Sequence, residues 1–453
     1  MSSPVIALLA VIWTAVAVDR SDDVVARVGG FALTVGEFHA FIGREYASDE
    51  RAERVLKHLL EQQVIRVEAT RAGVEIAPSE LERRYARLDE ENAERSRQAG
   101  GREKSLGEML AEQGVTKEEF LSQLEVSLLA ERMAGLEFGI AIGEDVPYAK
   151  TNLWIRDRMA KATVRRSGLA PDEVARVNGR PITAGALGRL YAEDLSAKAR
   201  HDMMTEFIDT HVIRTAAKSA GIELDPADLD AAVEARRARV KEDPKYVGAS
   251  LDQLLEKTGR SVEWLKGSAR FVNQVLMERL IEDRWPGDAL RAFYRRNLED
   301  IDRLHGPSVR VRGVFLKAGH RGAASTGFAP RLYEEAEREL MAVLDRVANG
   351  QTSIEVVAKS RSEHEASKAR DGDLGFIRPS TPRLEEVATE ALATTRDQWP
   401  IGPIRTVDGV WLVEVVERKD RPEFEEIERQ VRNYAAGTLF RDLRSAADIE
   451  RRE

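Results

Sequence analysis

The 453-residue chain contains no cysteine, which excludes disulfide bonds, thiol nucleophiles and cysteine-ligated metals. Aromatic residues make up only 6% of the chain and charged residues 32%, a balance that favours helical, well-solvated domains over a large sheet core. The seven histidines show no metal-ligand spacing such as H-E-x-x-H, and no phosphate-binding or dinucleotide-binding glycine pattern occurs. The sequence therefore predicts neither a metal site nor a cofactor.

Neither sign of charge dominates, because 69 basic residues face 78 acidic ones and the net charge is −9. This balance argues against nucleic acid as a partner. The length is enough for about three domains of ordinary size.

The one long apolar run lies at the start of the chain. Residues 1–18 carry no charged side chain, and residues 4–18 are apolar and end in the small-residue pattern Ala-Val-Ala. This pattern predicts an export signal cleaved after Ala17, and hence a periplasmic or other extracytoplasmic location. An uncleaved membrane anchor through residues 4–18 is the alternative, although the run is short for a span of about 20 residues. A buried first helix is the second alternative.

Two stretches of the chain repeat the same order of signals. The residues VARVGG at 25–30 return as VARVNG at 174–179, and AGVEI at 72–76 returns as AGIEL at 220–224. Pro78 likewise has its counterpart in Pro226. Matched strand, glycine and proline signals at matched spacing indicate a duplication. We therefore predict two mainly helical domains at residues 19–150 and 171–304, joined by a solvated linker helix within residues 151–170.

Local signals place the helices of the first repeat. Thr34 and Glu37 have the spacing of a capping box, which predicts that a helix begins there. A second helix is predicted at residues 51–72, with Gly73 as its end, and a third from Pro78 to about residue 94. Residues 92–104 are charged and contain glycine, so we expect a mobile loop.

A late segment carries the most specific motif. Residues 371–375 read DGDLG, and the glycines predict sharp bends on both sides of Leu374. Before it come a glycine turn and apolar stretch at residues 349–358 and the loop Ser362-Glu363-His364; after it comes GVWL at residues 409–412. In this order the segments resemble the parvulin family of peptidyl-prolyl isomerases over about residues 305–418.

The resemblance implies a multidomain fold. Residues 305–420 would form an α+β parvulin-like domain with a small antiparallel sheet, and residues 421–453 a C-terminal helix. The two repeats resemble the helical N-terminal domain of the SurA, PrsA and PpiD type of folding factor, which binds unfolded chains. In the SurA type a C-terminal segment returns to complete the N-terminal domain, and we expect this helix to do the same. Packing on the isomerase-like domain is the alternative.

The resemblance also implies a site that needs no cofactor. Leu374, Phe376 and Leu384 would line a pocket for proline, and His364 falls where active parvulins place Asp or Cys. An imidazole at that position can donate or accept a hydrogen bond near neutral pH. The alternative for Leu374 and Phe376 is ordinary core packing, and for His364 a solvated loop position.

Two departures from the family pattern bear on catalysis. Parvulins carry paired histidines on their first and last strands, and Gly313 and Trp411 occupy those positions here. We expect Trp411 to fill the space that Gly313 leaves. Two hypotheses follow: an exported isomerase with a rearranged site, or a non-catalytic holdase that keeps only the parvulin fold. Both predict unfolded or proline-containing polypeptides as partners; a scaffold of an envelope assembly is a third hypothesis.

Overall fold

The computed structural model describes residues 22–98, 104–112, 115–170, 172–320, 331–395 and 400–451. The predicted signal or anchor at residues 1–18 lies outside the described residues. The chain divides into two compact units, one formed by Met1–Leu280 with Phe440–Glu453 and the other by Ile281–Leu439. The domain boundaries drawn from the sequence stay predictions.

The first unit contains six strands and most of the helices. Its strands are β1 (Val24–Val28), β2 (Phe31–Thr34), β3 (Val164–Arg165), β4 (Glu173–Val177), β5 (Arg180–Thr183) and β10 (Ile449–Arg451). Its helices are α1 (Val35–Glu45), α2 (Glu50–Ala72), α3 (Pro78–Gln98), α4 (Leu106–Glu112), α5 (Lys117–Glu137), α6 (Tyr148–Lys161), α7 (Ala184–Glu193), α8 (Ala197–Ser219), α9 (Pro226–Glu242), α10 (Leu251–Glu256), α11 (Val262–Gly267) and α12 (Ala269–Arg284), the last of which ends just past the unit boundary.

The helix signals of the first repeat are confirmed, except for the loop. Thr34 and Glu37 form both hydrogen bonds of a capping box, and Gly73 ends α2 in a left-handed conformation with φ of 65°. The loop expected at residues 92–104 is wrong in its first half, because α3 continues to Gln98. The Asn92 side chain donates to the Lys104 carbonyl at 2.8 Å, so both flanks of the predicted loop are tied together.

Each repeat carries a small three-stranded sheet. The sheets have the strand orders β10-β1-β2 and β3-β4-β5, and both hairpins show a register shift at the same place, between Val24 and Ala26 and between Glu173 and Ala175. The third strand differs in origin, because β3 precedes its repeat whereas β10 comes from the end of the chain. Val28 pairs with Ile449. This pairing confirms the predicted return for the last strand only, because the preceding helix up to Leu439 belongs to the second unit, where the Tyr434 hydroxyl donates to Asp300 at 2.8 Å.

The two repeats share one core at a close crossing of α1 and α7. A Cβ atom at Gly43 would overlap the carbonyl oxygen of Ala184, and one at Gly188 would overlap the carbonyl oxygen of His39. Only glycine lets two backbones approach this closely. Phe41 from the first repeat and Phe207 from the second then stack with ring centroids 5.4 Å apart.

The linker helix is not solvated, which corrects the prediction. Trp154 on α6 is only 2% exposed and packs in a cluster with Ile65 of α2 and Val126 of α5. The large apolar area of the Trp154 ring favours burial of this face of the helix, while the basic residues lie on the outer face. The segment therefore completes the helical core of the first repeat.

The second unit holds the predicted antiparallel sheet. Its strands are β6 (Ser308–Lys317), β7 (Asp373–Ile377), β8 (Ile401–Thr406) and β9 (Gly409–Lys419), in the order β7-β6-β9-β8 with every pairing antiparallel. Its helices are α13 (Asp288–Arg296), α14 (Leu298–His305), α15 (Tyr333–Ala348), α16 (Ile354–Arg361), α17 (Glu365–Lys368), α18 (Glu385–Ala393) and α19 (Phe424–Ala446), whose last turns belong to the first unit.

Side-chain alternation on the central strands builds two cores, one on each face of this sheet. Leu316 and Leu412 point towards α15 and α16, whereas Phe315 and Trp411 point towards α18. Before the sheet, α13 and α14 are separate helices, because the chain breaks at Asn297 between them. The α18 face of the sheet carries the candidate site.

Candidate functional site

The two central strands bring the degenerate positions together. Phe315 pairs directly with Trp411 and Gly313 with Val413, so Gly313 lies diagonally across from Trp411 on the same face. A Cβ atom at Gly313 would lie 2.7 Å from Val413 Cγ1 and 3.1 Å from Trp411 Cε3. Trp411 is 2% exposed. The Trp411 ring therefore lies over Gly313, as expected, and an exchange of volume with a histidine pair stays a prediction.

The loop that carries His364 lies along the edge of β6. The Phe315 amide donates to Ser362 Oγ at 3.1 Å, and the Glu363 amide donates to the Phe315 carbonyl at 2.8 Å. Ser362 is fully buried. The backbone amide and the carbonyl of Phe315 both bond to the loop. These two hydrogen bonds to β6 hold the loop in place.

Ser367 fixes the ring of His364. Nδ1 of His364 accepts from the Ser367 amide at 3.2 Å and lies 2.8 Å from Ser367 Oγ. Burial, and then the charge of Arg370, lower the pKa of His364 below its ordinary value. The ring is thus neutral at neutral pH. Since Nδ1 accepts, the proton is on Nε2.

Three rings meet at this point. The imidazole of His364 lies edge-on to Trp411 at 5.2 Å between centroids and edge-on to Phe315 at 6.3 Å, and the Phe315 and Trp411 rings are 4.8 Å apart. Chemically, this cluster offers an apolar surface and one N–H donor from a neutral imidazole. That donor can stabilise the oxygen of a twisted amide, but no second imidazole supports it.

The three predicted pocket residues do not stay together. Leu374 and Leu384 are partly buried against the core cluster that contains Trp411. Phe376 is not part of that cluster, because the register shift at Leu374 interrupts the alternation of side chains along β7, so that Leu374 and Ile377 face the cluster and Phe376 does not. The ammonium of Lys419 lies 4.0 Å from the centre of the Phe376 ring. Phe376 is therefore neither core nor pocket on the α18 face.

The DGDLG segment bends as predicted. Gly372 and Gly375 have φ of 85° and 72°, on either side of Leu374. Asp373 accepts from the Gly375 amide at 2.8 Å and from both Arg310 Nε and Arg310 Nη2, at 2.6 Å to the latter. The Arg310 hydrogen bond lowers the pKa of Asp373 below its ordinary value. This ion pair fixes the turn that presents Leu374.

Sequence reasoning did not single out Phe315 or Arg310, and it used Ser362 only as part of the loop motif. Strand alternation would have placed Phe315 on the same face as Gly313, because only Val314 lies between them. The bonds of Ser362 and Arg310 join segments about 50 residues apart or more, so no local signal could have shown them.

No group of three or more metal-ligating side chains comes together in the part of the chain that the structure describes. Within the same described ranges, no helix has the length and apolar character needed to cross a membrane.

Comparison with known proteins decides the family of this domain. Residues 328–417 match the family described as Rotamase: PPIC-type PPIASE domain. This part of the chain is a PPIC-type domain. No curated protein matches the chain.

Several solved structures are similar to the chain at low identity. The peptidylprolyl isomerase PrsA from Bacillus cereus is 15% identical, covers 62% of this chain and 95% of its own, and has a TM-score of 0.32. PrsA from Bacillus anthracis is 18% identical, with 52% and 89% covered and a TM-score of 0.29. A SurA-like chaperone from Campylobacter jejuni is 18% identical, with 60% and 94% covered and a TM-score of 0.20. No functional conclusion follows from likenesses at these scores.

The PPIC-type domain thus keeps its sheet, its glycine turn and its Ser-x-His loop while both positions of the histidine pair are changed. Gly313 has no side-chain donor, and the indole of Trp411 is a donor only. Neither position can therefore contribute an imidazole to this domain.

Proposed function

We propose that the chain is an exported protein-folding factor that binds unfolded and proline-containing polypeptides, and that its PPIC-type domain isomerises prolyl bonds weakly or not at all. The observation that carries the proposal is the buried indole of Trp411 above Gly313. Binding the cis, trans and twisted forms of a peptide equally well does not accelerate their exchange. An apolar surface without the paired donors is suited to binding rather than to catalysis.

One observation favours residual isomerase activity as the second candidate function. His364 is neutral and its Nε2 carries a proton, so the domain retains one donor beside Trp411. Removing one such donor from an enzyme site usually costs a factor of about 10² to 10³ in rate. If any isomerisation is measured, the His364→Ala variant should therefore abolish it.

The first unit supports the binding of unfolded chains through its exposed apolar side chains. Leu136, Ile142, Tyr148 and Leu153, on α5, α6 and the turn between them, are each more than half exposed. Exposed apolar groups of this kind give weak and promiscuous contacts, with dissociation constants of about micromolar order. This surface is the proposed contact for unfolded polypeptides.

The aggregation of a denatured model protein tests this function. The intact chain is expected to slow aggregation without ATP, and the Tyr148→Ser/Leu153→Ser variant to slow it less. Val407→Ser is the matched control, because Val407 is 77% exposed in the second unit. If the intact, folded chain leaves the aggregation rate unchanged, the proposal is wrong.

Export is part of the same proposal, since an unfolded-chain binder of this type works outside the cytoplasmic membrane. The uncharged residues 1–18 motivate it. Intact-mass measurement of the native protein should give a chain that begins at Val18. A cytoplasmic species that retains Met1 would contradict export.

A further inference from the structure

A cleft of about 240 Å³ lies within the first unit. The end of α1, the segment 166–170 and the segment 259–268 line it. Both repeats therefore contribute to its walls. Its apolar lining includes Leu56 and Leu169, and its largest side chain is Trp264.

Trp264 forms an ordered wall of the cleft. Its indole Nε1 donates to the carbonyl oxygen of Arg44 at 3.3 Å, which ties α11 to the end of α1. The guanidinium carbon of Arg260 lies 4.1 Å from the centre of the indole ring. Stacking on a tryptophan face holds a guanidinium in one plane and leaves its edge open to an anion.

The carboxylates that face the cleft are already engaged. Glu45 is buried, and its oxygens accept from the Ala269 amide at 2.6 Å and from Ser268 Oγ at 3.1 Å. Both oxygens of Glu53 accept from Arg166, at 2.8 and 2.7 Å. Among the described residues neither carboxylate bonds to Arg260, although the negative charge of Glu45 acts on that guanidinium and favours its charged form.

Two further acidic residues, Glu173 and Glu263, line the cleft. Glu173 forms a two-point ion pair with Arg176, which lies outside the cleft lining. Glu263 is exposed at the first turn of α11. In the adjoining hollow that Arg260 also lines, Asp252 and Glu234 both bind Arg237.

Arg260 is the group without a partner. Its Nε is buried and has no hydrogen-bond acceptor among the residues that the structure describes. Burial, and then the charge of Arg270, lower the pKa of Arg260, although the group stays charged at neutral pH. Because Nε is closed to solvent, an anion would bind the Nη edge of the guanidinium, which likewise has no hydrogen-bond acceptor among the described residues.

We infer that this cleft binds a carboxylate of a polypeptide on Arg260, with an apolar side chain beside it against Leu56, Leu169 and the Trp264 ring. An arginine edge matches the two oxygens of a carboxylate, and the volume suits one apolar residue. The carboxylate is either a chain terminus or an Asp or Glu side chain, which present the same chemistry. The inference rests on the proposed polypeptide-binding function and names the chemical group that the first unit recognises.

Fluorescence anisotropy with the intact chain tests the inference. Three labelled peptides of neutral sequence ending in Leu-Phe are compared: one with a free C-terminal carboxylate, one amidated, and one amidated with Glu before Leu. The neutral amidated peptide should bind at least about tenfold more weakly than one of the two acids. Which acid binds more tightly identifies the source of the carboxylate.

Two substitutions test whether the preference for a carboxylate arises in this cleft. Arg260→Gln should weaken the binding of the preferred acid at least about tenfold and leave the neutral amide unchanged. Lys241→Gln, which removes the same charge from an exposed position on α9, should change neither. A circular-dichroism melt confirms that the variants fold.

Two results would overturn the inference: equal binding of all three peptides, or an Arg260→Gln dissociation constant within twofold of the parent value. Absence of any peptide binding would overturn it as well. The aggregation assay is run on the same samples. A chain that slows aggregation yet shows no dependence on the carboxylate would refute the cleft alone, whereas a chain that does neither would refute the proposed function too.

Discussion

The two units each depend on glycine at a crowded place, but the crowding differs. At the crossing of α1 and α7 the neighbours of Gly43 and Gly188 are backbone carbonyls. Above Gly313 the nearest neighbour is the side chain of Val413 at 2.7 Å, followed by the Leu412 carbonyl oxygen and the Trp411 ring, both at 3.1 Å. Side chains can be replaced or can rotate, whereas a helix backbone can move only with its whole element.

This difference indicates which feature the fold requires. The helix crossing requires glycine because the shared core of both repeats closes around it. The glycine on β6 instead lies beneath side chains of β9, those of Val413 and Trp411. The first unit therefore has no freedom at Gly43 and Gly188, whereas side chains that can be replaced limit the space at Gly313 in the second unit.

The largest expected effect is at the helix crossing. Gly188→Ala would place a Cβ atom on the carbonyl of His39, so the free energy of unfolding of the first unit should fall by at least about 3 kcal/mol. Hydrogen exchange followed by mass spectrometry should show lost protection in α1 and α7 and none lost in the second unit.

Gly185→Ala on the same helix is the matched control. No atom lies within 4 Å of a Cβ built there, and alanine suits a helix better than glycine by about 0.5–1 kcal/mol. The control should be neutral or stabilising. Equal losses for both variants would contradict the backbone contact as the cause.

The next effect is at the β6 glycine. Gly313→Ala should cost about 1–3 kcal/mol in the second unit, because the new methyl group meets Val413 Cγ1 first. Adding Val413→Ala should make the double variant less destabilised than the sum of the two single variants. Denaturant titrations of the four proteins measure this coupling, and strict additivity would contradict a side-chain cause.

A smaller effect is expected on the pH dependence of stability, through His39 at the crossing of α1 and α7. Burial, and then Arg189, lower the pKa of His39 to about 4, against an ordinary value near 6.5. The folded state therefore binds fewer protons between these values, so its stability is full above about pH 6.5 and is lost as the pH falls towards 4. Because the ring is partly exposed, we expect the loss to be about 1–2 kcal/mol.

His39→Gln tests this sign, since it removes the titrating group and should flatten the slope of stability against pH in that window. The comparison is made by denaturant titration at several pH values. A parent protein with no such slope, or a variant that keeps it, would show that His39 is not buried as a neutral ring.

The fold was largely predictable because its signals are local. Caps such as Thr34 with Glu37, the glycine end at Gly73 and the bends around Leu374 all follow from the residues at those positions. The contact between Gly313 and Trp411 was also predictable, because the resemblance places both on adjacent strands.

The features that the sequence did not predict depend on contacts between residues that are far apart in the chain. The burial of Trp154 requires knowing that α2 and α5 lie beside it, and the basic residues around it indicated solvent instead. The position of Phe376 depends on the register of β7 against β6, which contains a shift between Val311 and Arg312. A shift of one residue reverses which side chains point inward, so periodicity alone could not place this ring.

The most direct test of the central claim is a measurement of prolyl isomerisation itself. Exchange NMR on an Ala-Pro peptide, without protease, is run with the intact chain and with an active parvulin at equal concentration. Because Trp411 occupies the site of the missing donors, the chain should accelerate exchange by at least about 10²-fold less than the parvulin. An efficiency close to that of the parvulin, lost in the His364→Ala variant, would contradict the account and show that a single imidazole is sufficient for catalysis.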